Sequence, residues 1–447
     1  MRLNRLHLFV AFAFTVMADP VSSIAYAIEA ALRALDGDLA SLVATMAVVV
    51  GVIVVVSLTY HQLIGRFPEG GGGPEAVASA FGEGWSFLPL GALLVDFTLT
   101  VAVSCSAGAA ALIAYAPALA AARTPIALSL ALLVATGVLA GHRGRIGFAL
   151  ATQTFVALAA VVVVTGAIGD PSPAPAEAAA APGGPLLANA SMAAVLLAFP
   201  LGMALATGVE SPSNAIAQLP QLGARGRRLF GRGTLWLMVG IVGGLTMAVA
   251  VLAVHLGVGL PDGDSTLLAD LARRILGDGA LFGVFQILSA LLLLAAAASS
   301  YLAGSGVLKA LSAVGRDGGE GLLPAGLGRE NRFLVADRGV LAILAAAAAM
   351  IVAARGDEQA LVHFYAVSVF ASFLAATLAS ARLSHQDGKR GGTAVSVLGA
   401  ALVAGVLGLN LTRLDSAIAL LGSLAIAAYL WRAWVARGRP KGVSSSL

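Results

Sequence analysis

The sequence predicts an all-α integral membrane protein of about twelve transmembrane helices, on three observations. The first is composition: of 447 residues, 59% are hydrophobic and only 11% charged, with a mean hydropathy of +0.92. Soluble domains carry about 25% charged residues, so this composition places the chain in a lipid bilayer. The second is that apolar stretches near the ~20 residues a bilayer core requires recur along the whole chain. The third is the sorting of the basic residues once those stretches are taken as alternating crossings.

The spans run roughly over 6–34, 39–64, 87–116, 124–140, 146–168, 189–219, 233–258, 280–311, 338–354, 360–381, 393–410 and 415–434. The first and sixth carry interruptions, at 19–23 and 207–213. Even-numbered connections and both termini then share one side, which holds 21 of the 27 Lys and Arg. Arg225, Arg227, Arg228 and Arg232 cluster there after the sixth span. The other side holds Arg33, Arg123, Arg273, Arg274, Arg355 and Arg413. The positive-inside rule makes both termini cytoplasmic, in a multi-pass protein of the cytoplasmic (inner) membrane. An odd number of spans would scatter this bias.

The start of the chain also has the pattern of a secretory signal: Arg2 and Arg5, an apolar run, then Val16-Met17-Ala18. Removal after Ala18 would delete half a span and upset the charge asymmetry, so the segment reads as a first helix. Three connections stand out. Residues 65–84, GRFPEGGGGPEAVASAFGEG, lack the Gly-Lys-Ser/Thr of a phosphate-binding loop and read as a flexible link into a short surface helix. Residues 169–188 form an external Pro/Ala linker. Within 259–278, DSTLLADLARRIL has apolar residues at helical spacing, so a short external helix is expected.

The motifs of soluble enzymes are missing: no nucleotide loop, zinc spacing, nucleophile elbow or Cys pair occurs. The single cysteine, Cys105, allows no intrachain disulfide and suits helix packing. The six histidines are scattered, and only His363, near the outer mouth of span ten, is placed to relay protons. No enzyme activity, cofactor or nucleic-acid partner is expected.

Acids inside lipid carry the functional signal. One at mid-span costs about 2.5–3.5 kcal/mol on insertion scales, so those that persist face a cavity or a partner. Of 23 acidic residues, 11 fall in external connections and 8 in cytoplasmic ones. Asp19, Glu29, Asp96 and Glu210 remain within spans, where basic residues are essentially absent. A bound cation, bound protons or both must therefore neutralise them. Glu29, near the outer end of its span, stays open between this set and a carboxylate that reaches interfacial water.

Oxygen donors accompany these acids. Asp19 and Tyr26 are seven residues apart, close to one helix face if the break is short. In LLVDFTLTVAVSCSAG, Asp96, Thr100 and Ser104 form a stripe at steps of four. In LATGVESPSNAI, Thr207 and Glu210 are followed by Ser211 and Pro212; Gly208 and Pro212 support a second helix break, matching Pro20 with Ser22 and Ser23 in the first half. Paired broken helices point to a midplane transport site. Taken singly, Ser22, Ser23, Thr100 and Ser104 also suit close helix packing.

These stretches resemble a known family. DPVSSIAYAIEA is similar to the first-helix motif of the KUP-type potassium–proton symporters, nearest their KimA-like branch, within the amino acid–polyamine–organocation (APC) superfamily. RFPEGGGGPEAVASAFGE, VDFTLTVAVSCSAGAAAL, LATGVESPSNAIAQL, SSYLAGSGVLKALSAVGRDGGEGLLP and FYAVSVFASF resemble its later segments in order, over about residues 7–385. The resemblance implies a LeuT-like 5+5 inverted repeat with helices one and six broken, plus two C-terminal helices. The first five-helix repeat would occupy 1–168, the linker 169–188, the second repeat 189–385, and the last helices with a short cytoplasmic tail 386–447. It further implies potassium held by Asp19, Tyr26, Asp96, Thr100, Ser104, Thr207 and Tyr365. Asp19 and Asp96 would supply the charge for this monovalent cation, Glu210 the proton coupling, and Ser22, Ser23 and Ser211 would be secondary candidates. The large cytoplasmic C-terminal domain of many family members is not expected after residue 447.

The function expected is proton-coupled uptake of potassium, with potassium ion and proton as the transported species. The alternative is a proton-coupled amino acid or polyamine permease. A fixed carboxylate at Asp19 would repel a substrate carboxylate, which favours a bare cation. Expected partners are membrane lipid and a small cation or small-molecule substrate, with a homodimer as the assembly to test.

Overall fold

The computed structural model describes residues 5–141, 145–169, 191–313, 321–411, 413–440 and 442–443. Most of the expected 169–188 linker lies outside these residues. Every regular element among the described residues is helical. The first three, α1 (Arg5–Val16), α2 (Ala18–Ser22) and α3 (Ile24–Ala34), follow one another with single residues between them. Asp38 then caps α4 (Leu39–Arg66), accepting from the Ala40 amide at 3.0 Å. The short α5 (Gly72–Phe81) is the surface helix expected after the glycine run.

The chain continues through α6 (Phe87–Tyr115), α7 (Arg123–Leu139), α8 (Arg145–Ile168), α9 (Met192–Gly202) and the five-residue α10 (Ser211–Ala215). It then forms α11 (Ala224–Leu256), α12 (Leu267–Leu276), α13 (Ala280–Ser312), α14 (Asp337–Ala353), α15 (Glu358–Gln386), α16 (Arg390–Asn410) and α17 (Leu414–Ala436). Ten of the described helical stretches are long and apolar enough to cross a membrane. They include Met192–Gln218, which contains the α9–α10 break. The broken Arg5–Ala34 stretch and the 17-residue α14 are additional to the ten.

Position in the bundle follows from side-chain size and polarity. α6 is the centre: its spanning window is 89% buried, against 22–28% for α7, α8, α16 and α17. Its run SCSAGAAA meets the AAAASS run of α13, and such small residues let helix backbones approach closely where lipid removes the hydrophobic drive. α15 and α17 also pack on α6, α11 packs on α4, and α9 packs on α3 and α4. The exposed apolar residues of α7, α8, α16 and α17, such as Leu133, Val164, Val397 and Leu421, form faces suited to lipid.

The two interruptions differ in depth. At the first, Pro20 costs only its own amide bond, and the Ser22 hydroxyl and Ser23 amide donate back to the Asp19 carbonyl at 2.7 and 3.3 Å. The segment therefore stays helical apart from Met17 and Ser23, a milder break than the sequence suggests. At the second, Thr207 is extended (ψ 141°) and Gly208 is left-handed (φ +77°). The chain there is unwound between a 3₁₀ turn, Met203–Ala206, and α10.

Candidate functional site

The two interruptions meet. A side chain on Gly208 would stand 2.6 Å from the Pro20 ring and 3.1 Å from Asp19 Oδ2, so only glycine lets the second break lie against the first. Its positive φ independently favours glycine. Ser23 links the two segments: its hydroxyl shares hydrogen bonds with Tyr26 at 3.0 Å and with Thr207 at 2.9 Å. Thr207 in turn donates to the Ala204 carbonyl at 2.9 Å. A buried chain of three hydroxyls thus spans the junction, directly after Asp19.

Three acids converge on this junction. Asp19, Asp96 and Glu210 are 6%, 1% and 4% exposed, and each leaves one carboxylate oxygen without a hydrogen-bond partner. Asp96 acts electrostatically with both Glu210 and Asp19, and Glu210 with Asp19. No ion pair joins any of them to a basic residue among the described residues. Ionised carboxylates taken out of water cost several kcal/mol each unless paired. Among the described residues, no basic side chain offsets the cost of ionising these three acids.

The remaining sequence candidates divide. Thr100 and Ser104 are fully buried on the Asp96 stripe of α6, and the Ser104 hydroxyl has no partner. Ser22 is spent on the Asp19 carbonyl. Ser211 lies outside the hydroxyl chain, in the wall of a cavity that also holds Asp19. The side chain of Tyr365 lies outside the described residues. His363 is partly exposed and lies 3.8 Å from Asp415.

The cavity, about 590 Å³, runs from Asp19 past Thr15, Phe97, Ser300 and Asn214 to the connections near Gly71, Leu334 and Lys309. Those connections are on the side bearing the termini and most of the arginines. A small void of about 10 Å³ lies beside Thr266, Gln286 and Glu358. There α12 packs against α3, α8, α11 and α13. Glu29 accepts from the Leu267 amide at 2.9 Å, at the start of α12, and from Arg33 at 2.9 Å. Glu358 faces Arg123 at 3.6 Å, and the Gln359 amide donates to the Tyr26 carbonyl at 3.4 Å.

Two residues at or near the site escaped the sequence reading. The Tyr60 hydroxyl on α4 is fully buried without a partner and acts electrostatically with Glu210 and Asp96. Glu358, counted there with an external connection, is 4% exposed. A tyrosine in a span and an acid at a helix start carry no local mark of either role; both depend on contacts with distant segments.

The family model for amino acid permeases matches residues 6–407. The chain belongs to that family, within the APC superfamily. It is similar to the potassium transporter KimA of Bacillus subtilis (strain 168), 28% identical over 368 residues. That similarity covers 80% of this chain and 58% of the relative, so the chain spans less than two thirds of KimA's length. A multi-pass membrane transporter is the functional class that family membership and the apolar helices together support.

Proposed function

We propose that the protein is a proton-coupled potassium transporter of the cytoplasmic membrane, with a LeuT-like fold of twelve helices and cytoplasmic termini. One observation carries the reading: Asp19, Asp96 and Glu210 are buried together without a basic partner, beside the hydroxyls of Ser23, Tyr26 and Thr207. A monovalent cation is neutralised by carboxylates and solvated by hydroxyl and carbonyl oxygens at such a break. Asp19 and Asp96 hold the ion in this reading. Tyr26, Thr207, Thr100, Ser104 and Tyr365 supply further oxygens, and Glu210 takes up and releases the proton.

The cavity from Asp19 to the arginine-rich side, with α12 closed on the other, corresponds to an inward-facing state. Alternating access then requires that the Glu29–Leu267 and Arg123–Glu358 contacts open as the inner cavity closes. The two five-helix repeats, 1–168 and 189–385, would supply the two moving parts.

The family's name favours a second reading, proton-coupled transport of an amino acid or polyamine. Against the amino acid stands Asp19, whose carboxylate lies against Gly208 at the place where the helix breaks meet. A substrate carboxylate brought there would be repelled. The test is reconstitution in liposomes with a pH dye inside, followed by external K⁺, Na⁺, alanine or a polyamine. K⁺-dependent proton movement is expected; proton movement driven by alanine or polyamine and indifferent to K⁺ would overturn the potassium reading.

A further inference from the structure

The arginine cluster after the sixth span has an asymmetric fate. Arg227 is satisfied by Glu69 at 2.5 Å and by the Leu222 carbonyl at 2.9 Å. Arg228 and Arg232, one helical turn apart on α11, have no carboxylate partner among the described residues. Both line a second cavity, of about 500 Å³, between the ends of α4 and α15 and the start of α11. Arg66 and Lys389 complete its wall and share a single acid, Asp387. Four cations therefore surround one carboxylate.

The cavity is shaped around these groups. The Arg232 guanidinium occupies the space where a Gly65 side chain would stand, and its Nε donates to the His61 carbonyl at 3.2 Å. Across from it, a side chain on Gly392 would press on Gln62 at 2.6 Å and Ser384 at 3.3 Å. Those two are hydrogen-bonded to each other at 3.1 Å and form a polar wall. One turn beyond Arg232, the half-exposed Trp236 donates to His61 Nδ1 at 3.0 Å. Partly exposed tryptophans mark the level of lipid headgroups. Farther along, Leu237 of α11 and Val397 and Leu398 of α16 expose apolar surface for hydrocarbon.

We propose that this cavity binds the phosphate-bearing headgroup of an acidic phospholipid, with Arg228 and Arg232 as its principal contacts. Guanidinium groups match phosphate oxygens in a bidentate way, and basic pockets between membrane helices take such headgroups. The apolar faces beyond the tryptophan distinguish a lipid from a free anion, because acyl chains have somewhere to lie. The site is separate from the transport junction and does not depend on which species is carried.

The test uses the full chain in detergent, with lipid retained after purification counted by native mass spectrometry. Phosphatidylglycerol is compared with phosphatidylcholine, each with and without inorganic phosphate. Wild type is expected to retain phosphatidylglycerol over phosphatidylcholine, and the double variant Arg228→Gln/Arg232→Gln to retain about tenfold less. Asp387→Asn, which frees Arg66 and Lys389, is expected to retain more. Equal retention by wild type and the double variant would overturn the proposal. So would displacement of the lipid by millimolar phosphate, which would mark a soluble anion's site. If the double variant does not fold, unchanged retention in Asp387→Asn overturns it instead.

Discussion

At the α12 end of the bundle, Glu29 receives Arg33 and the Leu267 amide, and Glu358 faces Arg123. At the centre, Asp19, Asp96 and Glu210 are as deeply buried and, among the described residues, receive no basic residue. The difference separates two uses of an expensive group. An acid paired inside the protein fastens elements together, here α3 to α12. An acid left unpaired is free, in the proposed function, to serve a species that comes and goes. Burial alone does not tell the two apart; the partner does.

The sharpest way to break this comparison is to neutralise one acid of the central set. Asp96→Asn removes charge without orphaning a cation, so the protein should fold with an unchanged or higher unfolding midpoint. Ion-driven proton flux in liposomes should fall by about a hundredfold or more, since a buried site without its charge no longer repays the ion's dehydration. Normal flux would return the α6 stripe to simple packing. A large loss of stability would show that Asp96 has a protein partner after all.

Access is the next contrast, and the single native cysteine, buried Cys105, leaves a clean background. Ser211→Cys lies in the 590 Å³ cavity, and Ser289→Cys lies beside the 10 Å³ void. An impermeant thiol reagent should label Ser211→Cys at least tenfold faster from the face bearing the termini than from the other. It should leave Ser289→Cys nearly unmodified from either face. The reverse pattern would show the bundle open on the α12 side.

The layout of the helices was legible in the residues, because span length and charge sorting are local and repetitive. The expected 39–64 and 280–311 correspond to Leu39–Arg66 and Ala280–Ser312, and the expected external helix to Leu267–Leu276. The candidate acids were legible for the same reason: a carboxylate in an apolar run needs no alignment to stand out. Pairing was not legible. That Glu29 caps α12, 238 residues along the chain, is a fact about how two helices dock. The proline and serines at 20–23 misled in degree, since bonds from the Ser22 hydroxyl and the Ser23 amide to the Asp19 carbonyl keep the backbone helical where those residue types suggest unwinding.

Glu29→Gln tests the paired set with a smaller effect. It keeps the size of the side chain but removes the charge that serves both Arg33 and the first turn of α12. Each lost charge-assisted hydrogen bond is worth about 1.5–3 kcal/mol, so the unfolding midpoint in detergent should fall. Flux should change by less than tenfold, because the proposed cation site is untouched. Flux abolished with stability intact would move Glu29 into the central set.

The smallest effects concern two acids outside the spans, and here the same contrast sets the sign of a pH dependence. Hydrogen bonds from Arg66 and Lys389 hold the Asp387 carboxyl below the usual carboxylate range. Its contribution to stability is therefore present above the unfolded value, near 3.9, and lost as pH falls through the folded one. Asp270 on α12 is pushed the other way by burial, against the opposing pull of Ser265 and Arg273. Its charged form is disfavoured in the folded state, so it weakens the protein above its folded value and ceases to do so as pH falls toward the unfolded one. Unfolding midpoints measured from about pH 3 to pH 7 should show Asp387→Asn flattening the acid limb. Asp270→Asn should steepen that limb, because it removes a term that improves on acidification. Two variants bending the same limb in the same direction would mean that Arg273 compensates Asp270 fully, making it one more paired acid of the outer half.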